Sequence, residues 1–127
     1  MAEPARRLLI CEREEAMRFC LGTLFRRAGF ETAEAADGDA AVRAALANPP
    51  DLITLCVALE KRDGYDVLSR LRAAPELTAT RFLVVSGQSR PADREKALAL
   101  GADGFVLKPF DSNDLLAQVR DLLGEGG

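Results

Sequence analysis

The chain has 127 residues, of which 48% are hydrophobic and 29% are charged, and its formal net charge is −3. This composition is typical of a globular domain, and it excludes an intrinsically disordered chain and a strongly basic nucleic-acid-binding domain. We expect a single folded domain over residues 1–127, with an ordered core over about residues 6–123.

The sequence contains no histidine and three cysteines. The lack of histidine excludes histidine-based metal sites and catalytic triads. An odd number of cysteines without paired spacing predicts reduced thiols rather than disulfides. No apolar segment has the length of a membrane span and no signal-peptide pattern is present, so we expect a cytoplasmic protein that binds neither a membrane nor a nucleic acid.

The first part of the chain alternates short apolar runs with segments of helical periodicity. Arg7 to Cys11 predicts a strand, and the next segment predicts an amphipathic helix that ends at Gly29. The buried stripe of this helix is predicted to contain Met17, Cys20, Leu21, Leu24, Phe25 and Ala28. Phe30 to Ala35 predicts a second strand. Ala40 to Ala47 predicts a second helix, capped within Asp37-Gly38-Asp39.

The most apolar segment runs from Pro50 to Leu59 and is too short for a typical helix. Such a run predicts a strand that is buried on both faces of a parallel sheet. The polar loop 60–64 follows it. Ligands collect beyond the carboxyl ends of the strands in such sheets, and Cys56 lies at that end.

The second half of the chain continues the same alternation. Tyr65, Leu68 and Leu71 indicate a third helix, which ends before Pro75. The remaining predicted elements are a strand over 81–85, a helix over 91–100 that stops at Gly101, a strand over 105–107 and a final amphipathic helix. This last helix is capped by Asp111 or Ser112 and is defined by Leu115, Leu116, Val119, Leu122 and Leu123. Alternating strands and helices predict a parallel sheet that is covered by helices on both faces.

Four stretches together resemble the receiver domain of bacterial two-component response regulators. They are Leu8-Leu9-Ile10-Cys11-Glu12-Arg13-Glu14, Pro50-Asp51-Leu52-Ile53-Thr54-Leu55-Cys56, Val85-Ser86-Gly87 and Gly101-Ala102-Asp103-Gly104-Phe105-Val106-Leu107-Lys108-Pro109-Phe110. The resemblance covers essentially the whole chain. It implies an α/β fold of the flavodoxin-like (βα)5 type, a doubly wound five-stranded parallel sheet of order 2-1-3-4-5.

The resemblance also assigns family positions to individual residues. Cys56 falls on the position of the phosphate-accepting aspartate, and Glu12 and Arg13 fall on the acidic pair that holds magnesium. Ser86 and Lys108 keep the family's hydroxyl and lysine. Phe105 matches the aromatic switch residue.

These departures affect the chemistry that the family performs. Phosphoryl transfer requires an attacking carboxylate oxygen and a Mg²⁺ ion, and Mg²⁺ prefers oxygen ligands. A thiol and a guanidinium replace two of the carboxylates, so we expect Mg²⁺ binding and aspartyl phosphorylation to be lost, and no enzymatic activity. We hypothesise that Arg13 takes the place of the cation, pairs with Glu12 and forms a permanent charge cluster with Lys108.

The leading functional expectation is a phosphorylation-independent protein-interaction module in signalling, either a monomer or a weak dimer. The resemblance implies that a protein partner docks on the face formed by the fourth helix, the fifth strand and the fifth helix. This face is expected to include Arg90, Arg94, Lys96 and Phe105. The same basic residues are also compatible with a solvated surface.

Several alternatives remain open from the sequence. Cys56 either fills space in the core or acts as a redox or nitrosative sensor, with its pKa lowered by Lys108 and Arg13 and with Cys11 as a resolving partner. Arg13 could instead project into solvent. Ser86 and Lys108 could be inherited scaffold, with Lys108 paired to Glu12. Asp51 or Asp63 is a less favoured phosphoacceptor, because Asp51 precedes the strand and lies at its far end, and Asp63 lies in the loop beyond the site.

Overall fold

Five parallel strands form the sheet of the computed structural model, which describes residues 5–87 and 91–124. The strands are β1 (Arg7–Cys11), β2 (Glu31–Ala35), β3 (Leu52–Cys56), β4 (Arg81–Ser86) and β5 (Gly104–Leu107). Their order is β2-β1-β3-β4-β5, with every neighbouring pair parallel. The doubly wound sheet of order 2-1-3-4-5 is therefore confirmed. Its switch point lies between β1 and β3.

A helix follows each strand. The helices are α1 (Glu15–Arg27), α2 (Gly38–Ala47), α3 (Gly64–Arg72), α4 (Pro91–Ala99) and α5 (Ser112–Leu122). Asp37 caps α2 by accepting the Ala40 N–H, and Asp111 caps α5 by accepting two N–H groups of its first turn. A short 3₁₀ turn at Pro75–Leu77 was not predicted from the sequence. It begins at Pro75, since proline has no N–H and suits the first position of a helical turn.

The sheet separates two hydrophobic clusters. On one face α1 and α5 contribute Leu21, Phe25, Leu115 and Val119. On the other face α2, α3 and α4 contribute small or branched residues such as Ala41, Ala45, Val67, Leu68 and Ala97. All five residues of β3 are buried, as expected of a central strand covered on both faces. Its carboxyl end is therefore held in place by core packing.

The predicted position of Cys20 is wrong. This residue is exposed, and so is its neighbour Phe19, whose exposed fraction is 68%. The buried residues of α1 are Leu21, Gly22 and Phe25. Successive helical residues are rotated by about 100°, so Cys20 lies well to one side of a stripe centred on Leu21 and Phe25. The spacing of hydrophobic residues alone made the predicted buried stripe too wide, because it included Cys20 beside the buried Leu21.

Candidate functional site

A cleft of about 490 Å³ opens at the carboxyl edge of the sheet, beyond β1, β3, β4 and β5. Its lining residues are Glu12, Arg13, Glu14, Cys56, Val57, Ala58, Ser86, Gly87 and Lys108. Five residues predicted from the sequence therefore share one cleft, because the strands are parallel and their carboxyl ends meet at one edge. Phe105, the sixth, belongs to β5 but does not line this cleft.

The closest charged contact in the cleft joins Lys108 and Glu12. Lys108 Nζ donates to Glu12 Oε1 over 2.6 Å, and the Glu12 side chain is only 3% exposed. The other carboxylate oxygen, Oε2, accepts the Glu14 N–H over 3.1 Å. Burial by itself would lower the Lys108 pKa, but the hydrogen bond to Glu12 and the nearby acidic groups raise it above its ordinary value. Lys108 is therefore charged at neutral pH, as the expected Lys108–Glu12 pairing requires.

The expected pairing of Arg13 with Glu12 is wrong. Arg13 Nε lies 3.5 Å from Glu60 Oε1, and both side chains are more than half exposed. Both oxygens of Glu12 already have donors, so a solvated guanidinium gains little by moving to it, whereas Glu60 on the β3–α3 loop is within reach. The expected three-residue cluster is a Glu12–Lys108 pair, with Arg13 projecting toward solvent.

Cys56 carries a protonated thiol in this environment. Its side chain is buried, with 7% of the residue exposed. Burial and the negative charge of Glu12 raise its pKa, although Lys108 and the N–H groups of Ala58 and Arg13 partly oppose the shift. The expectation of a lowered pKa is therefore wrong, because burial outweighs the cationic neighbours.

The hypothesis of a thiol-based sensor consequently has no support. Reactive cysteines need thiolate character at neutral pH, which the raised pKa of Cys56 opposes. Cys11, the suggested resolving partner, is fully buried, and burial is the main cause that raises its pKa as well, with a smaller contribution from the neighbouring Cys56. Among the three thiols only Cys20 is exposed, and it lies outside the residues that line the cleft.

Ser86 and Phe105 occupy neighbouring strands next to the cleft. Ser86 ends β4 and is 3% exposed, and its carbonyl oxygen accepts the Lys108 N–H over 2.7 Å. Phe105 is half-buried and packs against the core cluster under α3 and α4. Arg94 and Lys96 are exposed on α4, whereas Arg90 lies outside the described residues.

Arg18 and Glu34 support the site but were not identified from the sequence. Arg18 Nη1 donates to the carbonyl oxygens of Glu12 (2.8 Å) and Arg13 (3.0 Å), and its Nε lies 3.5 Å from Glu34. Arg18 thus fixes the β1–α1 loop on which Glu12 is carried. From the sequence, Arg18 could be assigned only to the polar face of the first helix. Its partners are the backbone carbonyls of Glu12 and Arg13, and no sequence pattern predicts a side chain that bonds to carbonyls five and six residues earlier.

The two alternative carboxylates serve structural roles away from the strand end. Asp51 accepts the Arg7 N–H over 2.7 Å at the opposite, amino-terminal edge of the sheet. Asp63 caps α3 by accepting the Asp66 N–H over 2.9 Å. Within residues 5–87 and 91–124, no group of three or more cysteine, aspartate or glutamate side chains is arranged to hold a metal ion. None of the helices in those ranges has the length and apolar character of a membrane span.

Comparisons with known proteins agree with this architecture. Residues 8–120 match the response regulator receiver domain family. The chain is 39% identical over 120 residues to the transcriptional activator protein IrlR of Burkholderia pseudomallei, covering 94% of this chain and 51% of that protein. It is 33% identical over 120 residues to the sensory transduction protein RegX3 of Mycobacterium tuberculosis, covering 94% and 52%. The chain thus spans about half the length of these relatives.

Solved structures show the same fold. The signal receiver domain of a signal transduction histidine kinase from Syntrophus aciditrophicus superposes with a TM-score of 0.87 at 30% identity, covering 94% of this chain and 91% of that one. The chain belongs to the response regulator receiver domain family of two-component signalling systems.

Proposed function

We propose that this receiver domain signals without aspartyl phosphorylation, as a protein-interaction module with a permanently occupied charge site. The receiver resemblance puts Cys56 at the position of the phosphoacceptor. A protonated thiol is a poor substitute for a carboxylate, because it offers neither a negative charge nor a carboxyl oxygen to a phosphoryl group. Receiver domains in general act by binding protein partners, so output through binding is the simplest function that remains.

The Lys108–Glu12 contact is the observation that carries this proposal. In a cleft built for a phosphoryl group, the lysine must be available to an incoming anion. Here its ammonium is 2.6 Å from a buried carboxylate, so an anion would have to compete with that pair. The pair gives the domain a fixed charge arrangement that requires no modification.

The same contacts oppose a Mg²⁺ site. Magnesium binding needs several oxygen ligands with near-octahedral geometry. The carboxylate of Glu12 is engaged by Lys108 and by the Glu14 N–H, and Arg13 brings a positive charge to the entrance of the cleft. The donor set does not fit the ion, and no step of the proposed function uses it.

A magnesium titration followed by NMR tests this proposal. We expect wild-type amides around Glu12, Cys56 and Lys108 to show no saturable shift with Mg²⁺. The matched control is the double variant Cys56→Asp with Arg13→Asp, which restores two carboxylates on the same scaffold and is expected to bind Mg²⁺ and then beryllofluoride. Saturable binding of both at the wild-type cleft would contradict the proposal.

The proposed partner face comprises α4, β5 and α5. Two large hydrophobic side chains on this side of the molecule are exposed, Leu98 on α4 by 41% and Leu107 on β5 by 43%. Arg94 and Lys96 lie on α4 beside them and are also exposed. Exposed charged residues of both signs accompany these apolar side chains, including Glu95 on α4 and Asp114 on α5, and apolar side chains among polar ones are typical of a protein interface. We expect Leu98→Ser to weaken binding of a protein partner at this face without changing the fold.

A further inference from the structure

Helix α4 is held to the rest of the molecule by few buried residues. Of its nine residues, only Asp93 and Ala97 are buried. The neighbouring helix α3 has the same length and buries Gly64, Val67, Leu68 and Leu71. Because buried apolar contacts supply most of the free energy that docks a helix, α4 has the weaker attachment of the two. Any further contact therefore matters more for α4 than for α3.

One such contact joins α4 to α3. The ammonium of Lys96 lies 4.2 Å from the centroid of the Tyr65 ring. This is cation–π geometry, and the partly buried ring is packed against the same core cluster as Ala97. Lys96 is otherwise on the exposed side of α4. The contact thus extends the attachment of α4 beyond its two buried residues.

Tyr65 is in turn fixed to the end of β3. The preceding residue, Gly64, donates its N–H to the Val57 carbonyl oxygen over 2.8 Å. A Cβ at position 64 would lie 2.3 Å from the Cys56 carbonyl oxygen, so the backbone of α3 approaches the strand end as closely as glycine permits. The Tyr65 ring is therefore positioned by the segment that also carries Cys56.

We propose that the Lys96–Tyr65 contact is a tether that holds α4 against α3 and so links the position of α4 to the end of β3 at the cleft. α3 is the anchored side, through Gly64 and its buried residues, and α4 is the side that moves when the tether is broken. The tether belongs to the fold itself and does not depend on whether the domain is phosphorylated.

Amide hydrogen exchange of Lys96→Met tests the tether. This variant keeps most of the aliphatic stem and removes the charge that the ring attracts. We expect exchange over residues 92–99 to accelerate by about two- to tenfold, because a local opening loses one cation–π contact. Exchange over α3 is expected to stay at the wild-type rate. General destabilisation would accelerate both helices.

Three further variants complete the experiment. Lys96→Arg keeps a cation and Tyr65→Phe keeps the ring, so both are expected to exchange near the wild-type rate. Arg94→Met removes an exposed cation from the same helix and is also expected to leave the α4 rate unchanged. An α4 rate in Lys96→Met equal to that of wild type would overturn the proposal, as would equal acceleration in Lys96→Met and Arg94→Met.

Discussion

The two edges of the sheet carry similar polar residues and use them differently. At the amino-terminal edge, Asp51 and Asp103 each accept a backbone N–H from a neighbouring strand over 2.7–2.8 Å. At the carboxyl edge, Glu12 and Lys108 bond to each other across a cleft. Carboxylates at the first edge hold strand register, whereas Glu12 at the second is paired with a cation inside a cleft.

Arg72 shows how fully the amino-terminal edge is committed to structure. Its guanidinium donates to the carbonyl oxygens of Leu77, Thr78 and Thr80, and it lies 3.5 Å from Asp103. It also lies 4.6 Å above the Phe82 ring. Few of its donors remain for a ligand. The amino-terminal edge also has an opening, of about 330 Å³ and lined in part by Arg6, Asp51 and Arg81, but Asp51 there already accepts the Arg7 N–H. The cleft of about 490 Å³ at the carboxyl edge instead contains the Lys108–Glu12 pair, so a cluster of charges indicates a binding site only where its groups are not committed to the backbone.

The largest effect is expected from Arg72→Ala at the amino-terminal edge. Loss of several hydrogen bonds, an ion pair and a cation–π contact should lower the free energy of unfolding by about 3 kcal/mol. Urea denaturation measures this change. Arg70→Ala is the matched control, because Arg70 is exposed on the same helix, and it should change stability by less than about 0.5 kcal/mol. Equal effects of the two variants would show that the Arg72 contacts contribute little.

The next largest effect is expected from Lys108→Met in the cleft. This variant leaves the buried Glu12 carboxylate without its cation, which should cost about 2 kcal/mol. Adding Glu12→Gln removes the unpaired charge and should restore more than half of the loss. Urea denaturation of both single variants and the double variant measures the coupling. Additive losses would mean that the Lys108–Glu12 pair does not act as a unit.

A pH dependence is expected from Cys11, the buried last residue of β1 at the carboxyl edge. Burial raises its pKa in the folded state above the ordinary value of 9.0, so the unfolded chain loses the thiol proton first. The contribution of the Cys11 thiol to the free energy of unfolding is fully present below pH 9.0. Above this pH the free energy of unfolding falls by up to about 1.4 kcal/mol per pH unit. Denaturation between about pH 8 and about pH 10 should show a shallower decline in Cys11→Val than in wild type. Parallel declines would contradict the assignment.

The smallest effect is expected at Thr54, in the middle of β3. Its hydroxyl is buried and has no hydrogen-bond partner among the described residues. Thr54→Val replaces the hydroxyl with a methyl group of similar size, so it should raise the free energy of unfolding by about 1 kcal/mol. Thermal denaturation measures the gain. A loss of stability would mean that the hydroxyl is satisfied in solution.

The membership of the cleft could be predicted from the sequence, because parallel strands bring their carboxyl ends together, whereas the sheet order came from the resemblance to the receiver family. The finer arrangement could not. Arg13 pairs with Glu60 because the β3–α3 loop curves back toward β1, and loop geometry has no periodic signal. The pKa of Cys56 depends on burial competing with charge, and neighbouring residue types alone do not decide which is larger. Arg18 was missed for a similar reason, since its partners are backbone carbonyls.

The most direct test of phosphorylation-independent signalling is the intact mass of the wild-type domain after incubation with acetyl phosphate and Mg²⁺. The double variant Cys56→Asp with Arg13→Asp, treated in the same way, should gain one phosphoryl group. The wild-type domain should keep its mass, because its cleft presents a protonated thiol and a Lys108–Glu12 pair. A stoichiometric phosphoryl adduct on a wild-type cleft residue would contradict the account.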